Sequence, residues 1–336
     1  MAPPLLTFRP EGIYCALGDF YIDPWRPVPR ALITHGHADH ARGGMGAYLS
    51  TDIAAPVLHH RLGDIPLETM RYGETRDING VTVSFHPAGH VPGSAQIRVA
   101  HKGTVWVVSG DYKVENDGLS TPFEPVPCQH FITESTFGLP VFRWQSQADV
   151  ADELNAWWQA CADTGKIAML GAYSLGKAQR LMRMLDGAGP ILTHGAIEGT
   201  NTVMRAQGIA LPDTIPVTAD TKGKDHPGAL VIAPPSALTA TWAKRFGPRE
   251  TGFASGWMAI RGIRRRRAGD RGFVISDHAD WPGLLQAIKD TGADNIYVTH
   301  GYTDIFSRYL TEQGYNAQIV QTEFGEDDEI PSEAAS

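Results

Sequence analysis

Residues 35–40 read His-Gly-His-Ala-Asp-His, and no other feature limits this chain as tightly. Four metal-competent side chains stand directly after the run Ala-Leu-Ile-Thr at 31–34 and ahead of the Gly43-Gly44 turn. A strand ending in such a loop can send His35 and His37 to one side and Asp39 and His40 to another, so one strand end can serve two ions. Imidazole together with carboxylate suits zinc, manganese or iron better than calcium or magnesium. A lone turn histidine is ordinarily a solvated side chain, whereas four ligating residues at this spacing read as a metal motif.

The rest of the chain supplies a frame for that strand end. At 336 residues it is long enough for one large domain or two modest ones. Runs at 30–34, 81–85, 96–99, 104–109 and 130–133 are β-rich and bounded by turn residues, which predicts strands. The texture changes near residue 147, where Val150, Leu154, Trp157, Trp158 and Cys161 recur at near-helical spacing and predict a helix over 148–162. Strand-then-helix units follow, 167–170 into 177–185 and 230–233 into 237–246, an alternation that favours an α/β fold with a parallel sheet. Strand texture returns at 272–276, a helix at 281–291 and a strand at 295–299. These last two strands each end in a histidine-bearing turn, as the first does. No internal repeat or low-complexity linker interrupts the pattern.

Several function classes drop out on composition. No apolar run approaches the roughly 20 residues that span a bilayer, and the start has no basic flank before a long apolar stretch, so a soluble cytoplasmic protein with no membrane partner is expected. Cys15, Cys128 and Cys161 are odd in number and far apart, which suits a reducing compartment. The net charge of -8 excludes a surface uniformly adapted to polyanions. Charge is uneven, however: between positions 244 and 271 nine Lys and Arg residues face only Glu250 and Asp270, which marks a local polyanion site, and an acidic tail is expected at 326–336.

The motif at 35–40 resembles the HxHxDH signature of the metallo-β-lactamase superfamily. Ala-Gly-His-Val-Pro-Gly-Ser-Ala at 88–95 resembles the segment carrying that family's next histidine, His90, and Ser-Gly-Asp-Tyr at 109–112 resembles the strand-end aspartate that bridges the ions, Asp111. The resemblance implies His35, His37 and His90 around one divalent ion, zinc or manganese, and Asp39, His40 and His300 around a second, with Asp111 shared. Asp23, with Asp19 as a competitor, resembles the early aspartate that orients a ligand imidazole from behind. Thr-His-Gly occurs at His35, His194 and His300, and His300 is preferred as ligand because it follows a strand in the returning segment.

Two further segments resemble β-CASP nucleases: Thr-Glu-Ser-Thr-Phe-Gly at 133–138, with Glu134, and Ser-Asp-His-Ala-Asp at 276–280, with His278. The implied architecture is an αββα metallo-β-lactamase sandwich formed by 1–140 and 273–325, with a β-CASP α/β insert at 141–272. Strings at 22–27, 171–180 and 254–258 bring the resemblance nearest to the bacterial ligase-associated DNA exonuclease group. That implies phosphodiester hydrolysis by a metal-bound hydroxide in DNA repair, in functional association with a DNA ligase. Asp39 and Asp111 would be catalytic with the ions, and His278, held by Glu134, would pass a proton to the leaving sugar oxygen. The pairing of Glu134 with His300 is the RNA-nuclease pattern of the wider group, so RNA stays the second substrate after DNA.

Residues 171–178 nearly match the phosphate-loop string GxxxxGK[ST], but Ala178 replaces the hydroxyl that ligates magnesium, which excludes an ATPase. Ser174, Lys177 and the turn's amides are instead expected to grip a nucleic-acid backbone. Arg261, Arg264, Arg265 and Arg266 are expected to contact phosphates, with Trp257 as a stacking platform. Two other classes stay open: a small-ester or thioester hydrolase on the same fold, opposed by the long insert, and a catalytically silent nucleic-acid-binding subunit, opposed by the filled ligand positions.

Overall fold

The computed structural model describes residues 4–187, 189–267 and 269–320, so the expected acidic tail lies outside the described residues. In chain order the first elements are β1 (Thr7–Arg9), β2 (Gly12–Cys15), β3 (Phe20–Ile22), β4 (Ala31–Leu32), β5 (Tyr48–Thr51), α1 (Ala55–Leu62), β6 (Leu67–Met70), β7 (Thr75–Ile78), β8 (Val81–Pro87), β9 (Ala95–His101), β10 (Thr104–Val108) and β11 (His130–Ser135). The middle of the chain carries α2 (Gln147–Asp163), β12 (Ile167–Gly171), α3 (Lys177–Arg183), β13 (Ile191–Thr193), α4 (Gly195–Ala206), β14 (Ile215–Pro216), β15 (Leu230–Ala233), α5 (Pro235–Thr239), β16 (Arg249–Ala254), α6 (Arg261–Arg267) and β17 (Arg271–Phe273). It closes with α7 (Trp281–Thr291), β18 (Asn295–Gly301), α8 (Thr303–Glu312) and β19 (Asn316–Ile319). These elements form two compact units, one from the chain up to Pro140 together with the chain from His278 onward, the other Val141–Asp277.

The first unit holds two sheets, ordered β1-β2-β3-β4-β5-β6 and β19-β18-β11-β10-β9-β8-β7. Alternation along the strands gives each sheet one apolar face, and these faces meet: Phe20, Ile22 and Leu32 of the first sheet share a core with Val83, Phe85, Ile97, Val99 and Trp106 of the second. Burying a side chain of this size contributes about 1.5–3 kcal/mol. The outer face of the first sheet is covered by α1 through Leu58, packed with Ala31, Ile33 and Tyr48. The outer face of the second is covered by α7 and α8, with Leu284, Ile288 and Phe306 on Val107, Phe131 and Val298. The layers therefore run helix, sheet, sheet, helix, an α/β architecture. Helix α7 starts where its sequence says it should, with the Asp280 carboxylate accepting from Gly283 N at 2.9 Å and a proline in the first turn.

The second unit is a six-stranded, wholly parallel sheet ordered β14-β13-β15-β12-β16-β17. Helices cover both faces, as a parallel sheet requires. On one side α2 presents Leu154, Trp157 and Trp158 to Leu170, Ile232 and Phe273; on the other, Ala243 and Phe246 meet Met169 and Val231. Two local expectations differ. The helix expected over 237–246 is α5 followed by a 3-10 turn at Thr241–Phe246, because Ala240 is extended at ψ 164°. The unit also continues past residue 272 to Asp277, where Lys177 Nζ and Arg180 Nη1 lie 3.5 and 3.4 Å from the Asp277 carboxylate.

Candidate metal centre

One rim of the sandwich gathers the loops that follow β4, β8, β10, β11 and β18. Backbone bonds stitch them together: Ala95 N to Thr34 O at 2.8 Å, Lys113 N to Ala88 O at 3.0 Å, Ala279 N to Tyr112 O at 2.7 Å and Tyr302 N to Ser135 O at 3.0 Å. The approach is close enough to dictate residue type. A Cβ at Gly110, whose φ is +57°, would lie 2.7 Å from the Thr34 side chain, so glycine lets the Asp111 turn reach the His35 strand.

Three imidazole nitrogens converge there. His35 Nε2 and His90 Nε2 lie 3.1 and 3.0 Å from His37 Nδ1, and Asp111 Oδ2 lies 3.4 Å from the first and 3.7 Å from the second. A tetrahedral ion with metal–nitrogen bonds of about 2.0–2.1 Å has ligand–ligand edges of about 3.3 Å, so these side chains already have the spacing such an ion needs. Asp39, His40 and Asp111 form a second such group and Asp111, Glu134 and His278 a third, each with ligand atoms within 4.8 Å of one another. Asp111 is common to all three. His40 Nε2 is buried and makes no hydrogen bond, although Asp111 Oδ1 and Asp39 Oδ2 stand 3.4 and 3.5 Å away. An orphaned imidazole nitrogen facing two carboxylates is the arrangement a cation resolves. The donor set and its spacing therefore fit divalent ions.

His300 stands beside this second group, its ring stacked on that of His40 with centroids 5.3 Å apart. It reaches this place through a β-bulge: Thr299 pairs with Glu134 and Gly301 with Ser135, leaving His300 as the extra residue at φ 50°. A Cβ at Gly301 would meet Ser135 O at 2.4 Å, so the bulge needs a glycine after the histidine. The other Thr-His-Gly histidine, His194, caps α4 by accepting from Ala196 N at 3.1 Å, a structural task.

Asp23, also at positive φ (42°), orients the cluster from behind. Its carboxylate accepts from Thr34 N at 2.8 Å, Thr34 Oγ1 at 2.5 Å and His40 Nδ1 at 2.7 Å, which turns Nε2 of His40 toward Asp39 and Asp111. Asp19 is bonded to Tyr14 Oη instead, at 2.9 Å. Thr34 and Tyr112 carried no sequence signal, yet Thr34 links Asp23 to the motif and Tyr112 N donates to Glu134 Oε1 at 2.7 Å. Glu134 Oε2 in turn holds His278 Nδ1 at 2.8 Å, and the His278 ring lies 4.6 Å from that of His90.

Electrostatics follow from burial and proximity. Burial, reinforced by the neighbouring His40, pushes His35 well below its usual value. Burial also opposes charge on His40, but the nearby Asp111 and Asp39 carboxylates and the bond to Asp23 outweigh it and raise His40 well above its usual value. Asp111 stays well below the ordinary carboxylate range despite burial, held there first by His40 and then by His278. Burial lowers His300, and His40 lowers it further.

The expected substrate-side residues lie in the second unit. Ser174 is half-buried in the turn before α3. Lys177 is buried, with Nζ 4.7 Å from the Tyr173 ring centroid and ion-paired to Asp277, so it is engaged internally rather than extended to solvent. Trp257, expected as a stacking platform, is buried at 6% exposure with its ring edge-on to Phe142 at 5.7 Å, because the aromatic pair packs inside the unit. Arg261, Arg264, Arg265 and Arg266 are exposed on α6, and Arg264 Nε donates to Met258 O at 2.7 Å. Among the described residues no helix is long and apolar enough to cross a membrane.

Known proteins resemble this chain in sequence or in fold. The chain is 28% identical over 326 residues, 95% of its length, to a probable DNA ligase of Opitutus terrae, and spans 31% of that protein. A shorter stretch of 134 residues, 38% of the chain, is 30% identical to endoribonuclease ysh1 of Aspergillus fumigatus, of which it spans 15%. Over 122 residues, 36% of the chain, identity is 28% to cleavage and polyadenylation specificity factor 73 of Drosophila melanogaster, of which it spans 18%. The chain thus spans less than a third of the length of these curated relatives. A protein of unknown function from Enterococcus faecalis V583 shares the fold at a TM-score of 0.60 and 11% identity, covering 88% of this chain and 79% of that one. No family model matches the chain.

Proposed function

We propose that this chain is a metal-dependent nuclease of the β-CASP group within the metallo-β-lactamase superfamily, a DNA exonuclease working in repair. The observation that carries the reading is the convergence on Asp111 of two candidate ligand groups and, beside them, of the bonded pair Glu134 and His278. In this reading the first unit is the metallo-β-lactamase domain and Val141–Asp277 the β-CASP insert. His35, His37, His90 and Asp111 would hold one zinc or manganese ion, and Asp39, His40 and Asp111, with His300 alongside, the other. Such cations, when bound, act as Lewis acids, bring the pKa of a ligated water toward neutrality and offset charge on phosphoryl oxygens.

The chain's own residues complete the chemistry. Glu134 engages Nδ1 of His278 and leaves Nε2 as the atom that hands a proton to the departing sugar oxygen. Asp23 keeps His40 in the tautomer that offers Nε2. The basic face of α6 supplies phosphate contacts, and the turn at Ser174 a backbone contact; the internal pairing of Lys177 argues for a supporting part in that turn. The relative named as a DNA ligase, matched along nearly the whole chain, supports DNA and work beside a ligase. Three buried, unpaired cysteines suit a cytoplasmic setting.

RNA is the second reading, favoured by the relatives named as endoribonucleases and by the presence of both Glu134 and His300 at the rim. The deciding experiment incubates the chain with end-labelled single- and double-stranded DNA and RNA, adding zinc, manganese or magnesium in turn. Mononucleotide release from DNA is expected, abolished by Asp111→Asn; internal cuts in RNA alone would install the second reading, and turnover surviving Asp111→Asn would remove both.

A further inference from the structure

The loop at 35–41 carries four ligating side chains but almost no secondary structure of its own, its single internal backbone bond running from Ala41 N to His37 O at 2.8 Å. Its outer carbonyls are met from elsewhere. Arg61, in the last turn of α1, directs Nη1 to Gly36 O in a short hydrogen bond and to Ala41 O at 3.5 Å. Among the described residues no backbone amide takes either carbonyl. Helix α1 is itself seated by Leu58 among Ile33, Ala41 and Met45, so the guanidinium is presented from a fixed base.

We propose that Arg61 is the positioning residue of the ligand loop, a clamp that joins both ends of 36–41 and sets the spacing of His37, Asp39 and His40 before any cation arrives. The idea rests on the metal reading above. Both contacts come from one nitrogen, Nη1, which the rigid guanidinium plane holds in place, whereas an ammonium on a shorter, freely rotating stem is not held there, and this separates a geometric role from a merely electrostatic one. Arg61 lies at the surface, so replacing it leaves the core intact.

The test uses the full chain as wild type, Arg61→Met, which keeps the aliphatic stem, and Arg61→Lys, which keeps the charge. Zinc and manganese affinities are measured by competition with a chelating dye, and amide exchange is followed over 36–41 in metal-free protein. The clamp predicts cation affinity weakened about 10- to 100-fold in Arg61→Met, the range for residues that orient metal ligands. It also predicts incomplete recovery in Arg61→Lys and faster exchange confined to the loop. Wild-type affinity in Arg61→Met, or full restoration by Arg61→Lys, overturns it. Should the wild type itself bind neither ion, the metal reading fails, and the clamp still stands or falls on the exchange of 36–41.

Discussion

Replacing Asp23 by Asn tests the hinge on which the His40 group turns. The backbone at Asp23 is left-handed, φ 42°, a conformation that Asn tolerates and Ala does not, so the substitution isolates the side chain. Asp23 accepts three hydrogen bonds, from Thr34 N, Thr34 Oγ1 and His40 Nδ1. An amide has one accepting oxygen and one donating nitrogen. With its oxygen on Thr34 N, its NH2 faces His40 Nδ1 and drives the ring proton to Nε2, the atom that looks at Asp39 and Asp111. With the amide reversed, NH2 meets the Thr34 N–H. Either way one charge-assisted bond is lost, about 1.5–3 kcal/mol, which at about 1.4 kcal/mol per tenfold weakens the cation held through His40 about 10- to 100-fold. The group formed by His35, His37 and His90 is reached from Asp23 through Thr34, whose Oγ1 lies 3.1 Å from His35 Nδ1, and should lose less affinity than the His40 group. Calorimetric titration with zinc, combined with nitrogen-resolved NMR of the histidine rings, reads both effects. Two unchanged affinities, or an unchanged His40 tautomer, would refute the reasoning.

Other perturbations reach separate parts of the chain. Glu134→Gln should lower kcat about 100-fold with KM and cation affinity nearly unchanged, since general acid catalysis is worth about 10²–10⁴-fold; steady-state kinetics on labelled DNA checks the split. Replacing Arg264, Arg265 and Arg266 with Gln should weaken nucleic-acid binding and flatten its dependence on log salt by about 0.7 for each single-strand phosphate that is no longer neutralised, measured by fluorescence anisotropy from low to high salt. Glu198 is held below its usual 4.5: partial burial opposes this, but bonds from Thr193, Thr214, Asn201 and Arg205 prevail. A depressed carboxylate stabilises the fold above pH 4.5 and loses that contribution as pH falls through the lowered value. The melting-temperature deficit of Glu198→Gln should therefore be full at neutral pH and shrink in acid, and a deficit independent of pH would count against the network.

Legibility in the sequence tracked the length and regularity of each element. Helix α2 and strand β8 come through almost to the residue, because five apolar side chains at helical spacing and an alternating β-branched run leave little choice. The short strands β1, β3 and β6 do not, since three or four residues of mixed polarity acquire strand identity only from neighbours in the sheet. Helix α1 offers only Pro56 in its first turn as a start signal, with no side-chain cap and no acid there to support it. Within the site, the aspartates and histidines announce themselves by chemistry, and the structure brings His35, His37, Asp39, His40, His90 and Asp111 to one rim with Glu134, His278 and His300. Thr34 and Arg61 act through the backbone or a single hydroxyl and have no motif to announce them. Trp257 shows the opposite failure: an aromatic beside a basic run reads as a nucleic-acid platform until its burial against Phe142 is seen.

The pairing of β11 with β18, and of Glu134 with His278, joins the point where the chain departs at Pro140 to the point where it comes back at His278. A protease that nicks an exposed loop inside 141–277 would therefore produce two fragments still buttoned together at the neck by a parallel ladder and a buried carboxylate–imidazole bond. Cleaved bands on a denaturing gel should precede any loss of rim geometry, and the cut protein should migrate as one species until a denaturant parts the ladder.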